Sequence, residues 1–228
     1  MIYNNIKVLI FATDKFKDSQ KKLIKHLDSI GVKNIIELSE KNLPNEFIEE
    51  HKNHFSKKRG FGYWIWKPYI IIQELNKLQD DEILLYIDST DLPKQTFFDL
   101  VIKHFTHNEI LLINQNKYFH GDWTKRDCFV LMDCDKEKYY NELQLEAGVI
   151  GVKNNQLCLN ILNEWFFFMK NLSILDDSPN TQGLPNLYNF KEHRHDQSIL
   201  TNLSIKMNIK SIKVDSNLIR FNYNQPIN

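Results

Sequence analysis

The stretch that decides the fold is EILLYIDSTDLP, residues 82–93. From Ile83 to Ile87 the chain is apolar, and it then meets Asp88, Ser89, Thr90 and Asp91. A short apolar run bounded by turn residues reads as a strand covered on both faces. Folding alone does not call for two acids at its end. Mg²⁺ and Mn²⁺ take oxygen ligands and keep waters and phosphates in the rest of their shell, so Asp88 and Asp91 are candidate metal ligands. The competing reading has Asp88 capping the turn and Asp91 N-capping a helix that opens at Leu92-Pro93.

Outward from this strand, helical and strand patterns alternate. IKVLIFA (6–12) is a continuous apolar strand, and 18–31 places Leu23, Leu27 and Ile30 at helical spacing before Gly31. Residues 32–38 read as a strand, 44–57 as a helix opening at Pro44, and 69–78 as a helix after Pro68. A helix over 97–105 and a strand over 109–115 follow, then a strand at 147–153, a helix around Trp165, a loop at 176–190 and a last helix near 193–203. IKSIKV (209–214) closes the pattern as a strand. Such alternation predicts an α/β fold with a mostly parallel central sheet. Ligands of open sheets bind outside the carboxyl ends of the strands, which puts Ala12, Thr13 and Asp14 on one rim with residues 88–91. No linker interrupts the chain, so a single domain over 1–228 is expected.

Composition narrows the function. Lys plus Arg equals Asp plus Glu at 29 each, which gives no electrostatic reason to expect nucleic acid as a partner. Three cysteines without a CxxC spacing argue against a disulfide framework or structural zinc and favour a reducing, cytoplasmic setting. The N-terminus lacks the basic and small-residue marks of a signal peptide, and no window suits a membrane span. Neither GxGxxG nor GxxxxGK[ST] nor GxSxG is present, against a dinucleotide oxidoreductase, a P-loop NTPase and an α/β-hydrolase.

Four further stretches concentrate chemistry. RGFGYWIWKPYI (59–70) gathers Arg59, Tyr63, Trp64, Trp66 and Lys67 around Gly60 and Gly62. Lys67, just ahead of a proline-started helix, suits a diphosphate, with Arg59 beside it; the tryptophans read as a core plug or as ligand contacts. FHGDWTKRDCF (119–129) reads equally as a sugar or phosphate contact and as a solvated face with Asp122 as N-cap. QLEAGVIGV (144–152) sets Gln144 and Glu146 before an apolar strand, and Ala147 and Gly148 leave room for a ligand. EHRHDQSILTNL (192–203) brings His193 and Asp196 to one face if helical, with Asp196 as a helix cap in the alternative.

The order of these stretches, from the first strand through Gly-Tyr-Trp-x-Trp-Lys-Pro and the strand into Asp88 to Ala-Gly-Val-Ile and His-Asp-Gln, resembles small GT-A-fold glycosyltransferases. It is most similar to the nucleotide-sugar transferase-like proteins of bacteria and large viruses that build surface glycans, over residues 6–203. The resemblance implies a Rossmann-type three-layer sandwich, with a nucleotide-binding half near 1–115 and an acceptor half near 116–228. It implies Mn²⁺ or Mg²⁺ at Asp88 and Asp91, with His193 or His195 completing the shell. Here the family's D-x-D is altered, because residue 90 is Thr and the second acid is Asp91. Ala12 and Thr13 would meet the nucleoside, Arg59, Trp66, Lys67 and Ser89 the donor, and Ala147, Gly148 and Gln197 the donor sugar. Glu146 and Asp196 are the candidates for catalytic carboxylates. The implied partners are a nucleotide-diphosphate sugar, UDP-linked by preference, and a glycan, lipid-linked or protein acceptor, reached in the cytosol or at a membrane surface. A catalytically silent glycan- or nucleotide-binding module and a phosphohydrolase with Asp88 as nucleophile are the rival readings.

Overall fold

The computed structural model describes residues 3–215 and 217–220. In chain order the first half gives β1 (Ile6–Ala12), α1 (Lys17–Ser29), β2 (Ile35–Ser39), α2 (Asn45–Glu50), α3 (Lys52–Phe55), α4 (Gly60–Tyr63), α5 (Trp66–Leu75), β3 (Ile83–Ile87), β4 (Leu92–Pro93) and α6 (Gln95–Phe105). The second half gives β5 (Ile110–Phe119), α7 (Arg126–Leu131), α8 (Glu137–Tyr140), β6 (Leu143–Lys153), α9 (Gln156–Met169), α10 (Leu172–Leu175), α11 (Asp196–Lys206), β7 (Ile212–Lys213) and β8 (Ile219–Arg220).

The central sheet has six strands in the order β2-β1-β3-β6-β5-β7. Strands β1, β2, β3, β5 and β7 run one way, and β6 alone runs against them. Alternate residues of each strand face opposite sides, and each side is buried. Leu9, Phe11, Leu84, Tyr86 and Ile150 pack under α5, α9 and α11. Val8, Ile10, Leu85 and Ile87 pack under α1, through Leu23 and Leu27, and α6, through Phe97, Phe98 and Val101. The result is the expected three-layer α/β/α sandwich with a mostly parallel sheet. Each fully buried Leu or Phe here contributes about 1.5–3 kcal/mol relative to an exposed one.

Several local readings change. Leu92-Pro93 does not open a helix; it pairs antiparallel with Ile219 and Arg220, and α6 starts only after Lys94. Asp91 therefore caps no helix; its N–H closes a turn onto Asp88 O at 3.0 Å. The helix expected over 44–57 breaks at His51 into α2 and α3. The helix after Pro68 begins earlier, at Trp66, which takes Lys67 into its first turn. Asp122 caps nothing either, since α7 begins at Arg126 after Lys125.

Glu146 lies inside β6 rather than ahead of it. Leu112 of β5 faces Ile150, yet the next residue, Ile113, faces Glu146, so residues 147–149 bulge out of that ladder. On the other edge they stay in register with β3, with Val149 opposite Ile87 and Gly148 O accepting the Asp88 N–H at 2.7 Å. Bulges re-aim side chains next to functional sites, and Gly148 supplies the flexibility for one.

Candidate active site

Four chain segments converge where β3 ends. The strand delivers Asp88, the bulge of β6 delivers Glu146, Ala147 and Gly148, and α5 and α11 deliver Lys67 and Asp196 from one face of the sheet. Period-two alternation puts Tyr86 on the same face as Asp88, and its hydroxyl donates to Asp88 Oδ1 at 2.5 Å.

Lys67 is the centre of this cluster. Its Nζ lies 2.8 Å from Asp196 Oδ2 and 3.6 Å from Asp88 Oδ1, and it donates to Ala147 O at 3.0 Å. The side chain is only 2% exposed. Burial by itself lowers an amine's proton affinity, but the carboxylates of Asp196, Asp88 and Glu146 outweigh it and raise the Lys67 pKa, so the group stays an ammonium. Burial pushes the Tyr86 phenol far up, with Asp88 adding to it, so the phenol remains a donor.

Glu146 is tuned differently. Burial, seconded by the Asp88 charge, raises its pKa to about 7, while hydrogen bonds from Gln115 and the Gly148 N–H and the charge of Lys67 pull the other way. Gln115 Nε2 donates to Oε2 at 2.6 Å, and Gly148 N donates to Oε1 at 3.1 Å. A carboxyl near neutrality can take a proton from an acceptor hydroxyl and release it again.

Gly148 has carboxylate oxygens on three sides. A Cβ there would stand 2.8 Å from Asp91 Oδ2, 3.1 Å from Glu146 Oε1 and 3.2 Å from Asp88 Oδ2. Hard oxygen donors gathered round one point suit a divalent cation that keeps waters and phosphate oxygens in its shell. Among the described residues no group of three or more His, Cys, Asp or Glu side chains is placed to hold a metal ion, so any cation here would draw most of its shell from phosphate oxygens and water.

Ala12 and Thr13 lie on the same rim as Asp88, since β1 and β3 are parallel neighbours with Leu9 opposite Tyr86. Ser89 is buried in the turn between the two acids. Gln197 follows Asp196 in the first turn of α11, and its Nε2 is buried without an acceptor among the described residues.

Neither histidine expected to complete the metal shell is free to do so, since both are engaged with other groups. His193 and Asp196 do not share a helical face, because α11 begins only at Asp196. His193 has both ring nitrogens engaged, at 2.9 Å from Ile174 O and 3.3 Å from the Lys125 N–H. His195 Nε2 sits 3.0 Å from Asp177 Oδ1. Burial lowers the pKa of both imidazoles. Trp66 is a core residue, stacked on Phe11 with centroids 3.9 Å apart and donating to Gly60 O. Arg59 is committed to Asp177 at 3.2 Å and Glu192 at 3.6 Å rather than to the cluster around Lys67. In the 119–129 stretch, Lys125 and Asp127 do not form a solvated face. Both are buried and bind the loop at 176–182 through Asp176, Ser178, Thr181 and Gln182.

With the geometry in place, comparison with known proteins shows where else this architecture occurs. Mouse xyloside xylosyltransferase 1 superposes with a TM-score of 0.51 at 11% identity, covering 92% of this chain and 85% of that one. WbbM, a bifunctional glycosyltransferase, gives 0.50 at 13% identity, covering 87% of this chain and 37% of its own. A glycosyltransferase involved in glycosylation of the PBCV-1 major capsid gives 0.46 at 16% identity, covering 92% and 82%. The fold is that of known glycosyltransferases. No known family model matches the sequence, and no curated protein does.

Tyr86, Gln115 and Asp177 were not singled out by sequence. Tyr86 carried a signal, two residues before Asp88 on an apolar strand, which fixes both to one face. Gln115 and Asp177 carried none, because their partners lie in other segments and are set by register and loop path.

Proposed function

We propose that this chain is a metal-assisted glycosyltransferase, moving a sugar from a nucleotide-diphosphate donor to a hydroxyl acceptor within one domain. The observation that carries the reading is the buried Lys67 ammonium between Asp196 and Asp88 at the carboxyl rim of the sheet, beside a Glu146 carboxyl held near neutrality. Sugar transfer breaks the bond from the anomeric carbon to the diphosphate, so negative charge grows on the leaving oxygens. Lys67 is placed to offset that charge. Asp88 and Asp91 would hold Mn²⁺ or Mg²⁺, which supplies further neutralisation of the diphosphate. Glu146 takes the proton of the incoming hydroxyl, and Asp196 keeps Lys67 oriented. Ala12 and Thr13 contact the nucleoside, and Gly148 and Gln197 border the donor sugar. Among the described residues no helix is long and apolar enough to cross a membrane, so the acceptor is reached without a span in this part of the chain.

The test is a thermal-shift titration with UDP, GDP, CDP and dTDP, each with and without Mn²⁺, on wild type and Asp88→Ala. Ligands that bind only the folded state raise Tm by mass action. A metal-dependent shift for one nucleotide, absent in Asp88→Ala, is the expected result. No shift with any nucleotide would sink the reading.

A further inference from the structure

The segment between α3 and α5 takes an unusual path. Gly60, Phe61, Gly62, Tyr63 and Trp64 have φ of 58°, 50°, 86°, 54° and 60°, one after another. This is a turn of left-handed helix, closed by Tyr63 N–H to Arg59 O at 2.8 Å and Trp64 N–H to Gly60 O at 3.1 Å. L-residues visit that region singly and at a cost, not in runs. The two glycines make it possible. A Cβ on Gly60 would meet the Trp64 indole at 2.4 Å, and one on Gly62 would meet the His54 backbone at 3.2 Å.

An ordinary loop would join α3 to α5, so the strain calls for another reason; strained backbone gathers where function fixes it. The turn brings three rings together at the Lys67–Asp196 pair. Tyr63 stacks on His195 with centroids 4.9 Å apart and planes 20° apart, and Trp64 stands 5.5 Å from His195. The Lys67 ammonium lies 6.0 Å from the Trp64 ring. His195, the residue before Asp196, is itself left-handed at φ 49°. Two strained segments thus meet beside the same ion pair. Tyr63 and His195 are buried, whereas Trp64 keeps part of its indole exposed.

A partly exposed indole next to buried charged groups is suited to a pyranose. The apolar C–H face of the sugar covers the ring, and its hydroxyls reach polar groups at the edge. We propose that Trp64 is the platform on which the transferred sugar stacks, and that the left-handed turn exists to hold it beside Lys67 and Asp196. The proposal rests on the glycosyltransferase reading, and its test separates the two.

Affinities are measured by calorimetry with Mn²⁺ for three pairs: UDP and UDP-glucose, GDP and GDP-mannose, dTDP and dTDP-glucose. Wild type, Trp64→Ala and Trp64→Phe are compared on the pair that binds best. The expected result is that Trp64→Ala weakens the sugar nucleotide roughly tenfold and leaves the free nucleoside diphosphate within about twofold, with Trp64→Phe in between. Unchanged nucleotide affinity also shows that the variant is folded. If Trp64→Ala treats both ligands alike, the stacking role is overturned and the transferase reading stands. If wild type binds no member of any pair, the transferase reading fails and this one with it. Should Trp64→Ala not fold, wild type labelled with 5-fluorotryptophan decides the matter. The Trp64 ¹⁹F resonance, assigned through Trp64→Phe, must move more with sugar nucleotide than with nucleotide alone. A resonance indifferent to the sugar overturns the proposal.

Discussion

Lys67 Nζ and Asp196 Oδ2 stand 2.8 Å apart with both side chains almost wholly buried, one on the first turn of α5 and the other opening α11. This ion pair ties two helices of one layer together across the end of β3. Desolvating two charges is costly, and their attraction offsets that only with further partners in place. Here Lys67 has the Ala147 carbonyl and Asp88 as well. A stabilising device alone would be better served by apolar side chains, so the pair fits a site more readily than a core.

Removing one partner leaves the other charge stranded. Lys67→Met is expected to lower the unfolding free energy by about 3–5 kcal/mol in urea titrations at neutral pH. The double variant Lys67→Met, Asp196→Leu should recover much of that loss, because the Asp196 carboxylate is then no longer buried without its cation. A Lys67→Met protein as stable as wild type would mean that the ammonium is not held as described.

Gly148 gives a second prediction. Its missing side chain is the space on which the oxygens of Asp91, Glu146 and Asp88 converge, at 2.8–3.2 Å from a Cβ. Those atoms are side-chain ends, so Gly148→Ala should keep the fold and displace the carboxylates instead. We expect the metal-dependent nucleotide affinity to fall at least about tenfold while Tm without ligand changes little. Retained metal-dependent affinity would show that the three oxygens do not share a ligand.

The sequence made some of this legible and hid the rest for physical reasons. The α/β/α layering followed from strand and helix periods that are local properties of the chain. The strand running into Asp88, Lys67 beside Pro68, and Gly148 inside an apolar strand were readable for the same reason. The capping alternative for Asp91 failed because residues 92–93 pair with 219–220, a contact that no local pattern announces. His193 looked like a ligand until burial placed its ring against the Ile174 carbonyl. Trp66 and Trp64 were indistinguishable by type and spacing, yet one is stacked in the core and the other, at the end of five consecutive left-handed residues, is only half-buried. The Gln115–Glu146 contact depends on the bulge in β6, which shifts the register against β5.

That contact bears on the pH dependence expected of the proposed transfer. With the Glu146 carboxyl near 7 as the proton acceptor, kcat/KM should rise through that pH and level above it. The Gln115 hydrogen bond favours the charged form, so Gln115→Leu should move the midpoint to higher pH without abolishing activity. A profile that stays in place in Gln115→Leu would exclude Glu146 as the titrating group.

The same group links stability to pH. An unfolded glutamate titrates near 4.5, whereas folded Glu146 titrates near 7. Between these values the folded chain binds more protons than the unfolded one, so this residue's contribution falls as pH rises across the window. The contribution is fully present below about 4.5 and fully lost above about 7, a span of about 3 kcal/mol. Glu146→Gln cannot ionise and still accepts from Gln115, so it should lack this slope and be the more stable protein at pH 8. Urea titrations of both proteins at pH 5 and pH 8 measure the difference directly. Equal pH dependence in the two would show that Glu146 is ionised in the folded state across this range and that burial does not raise its pKa.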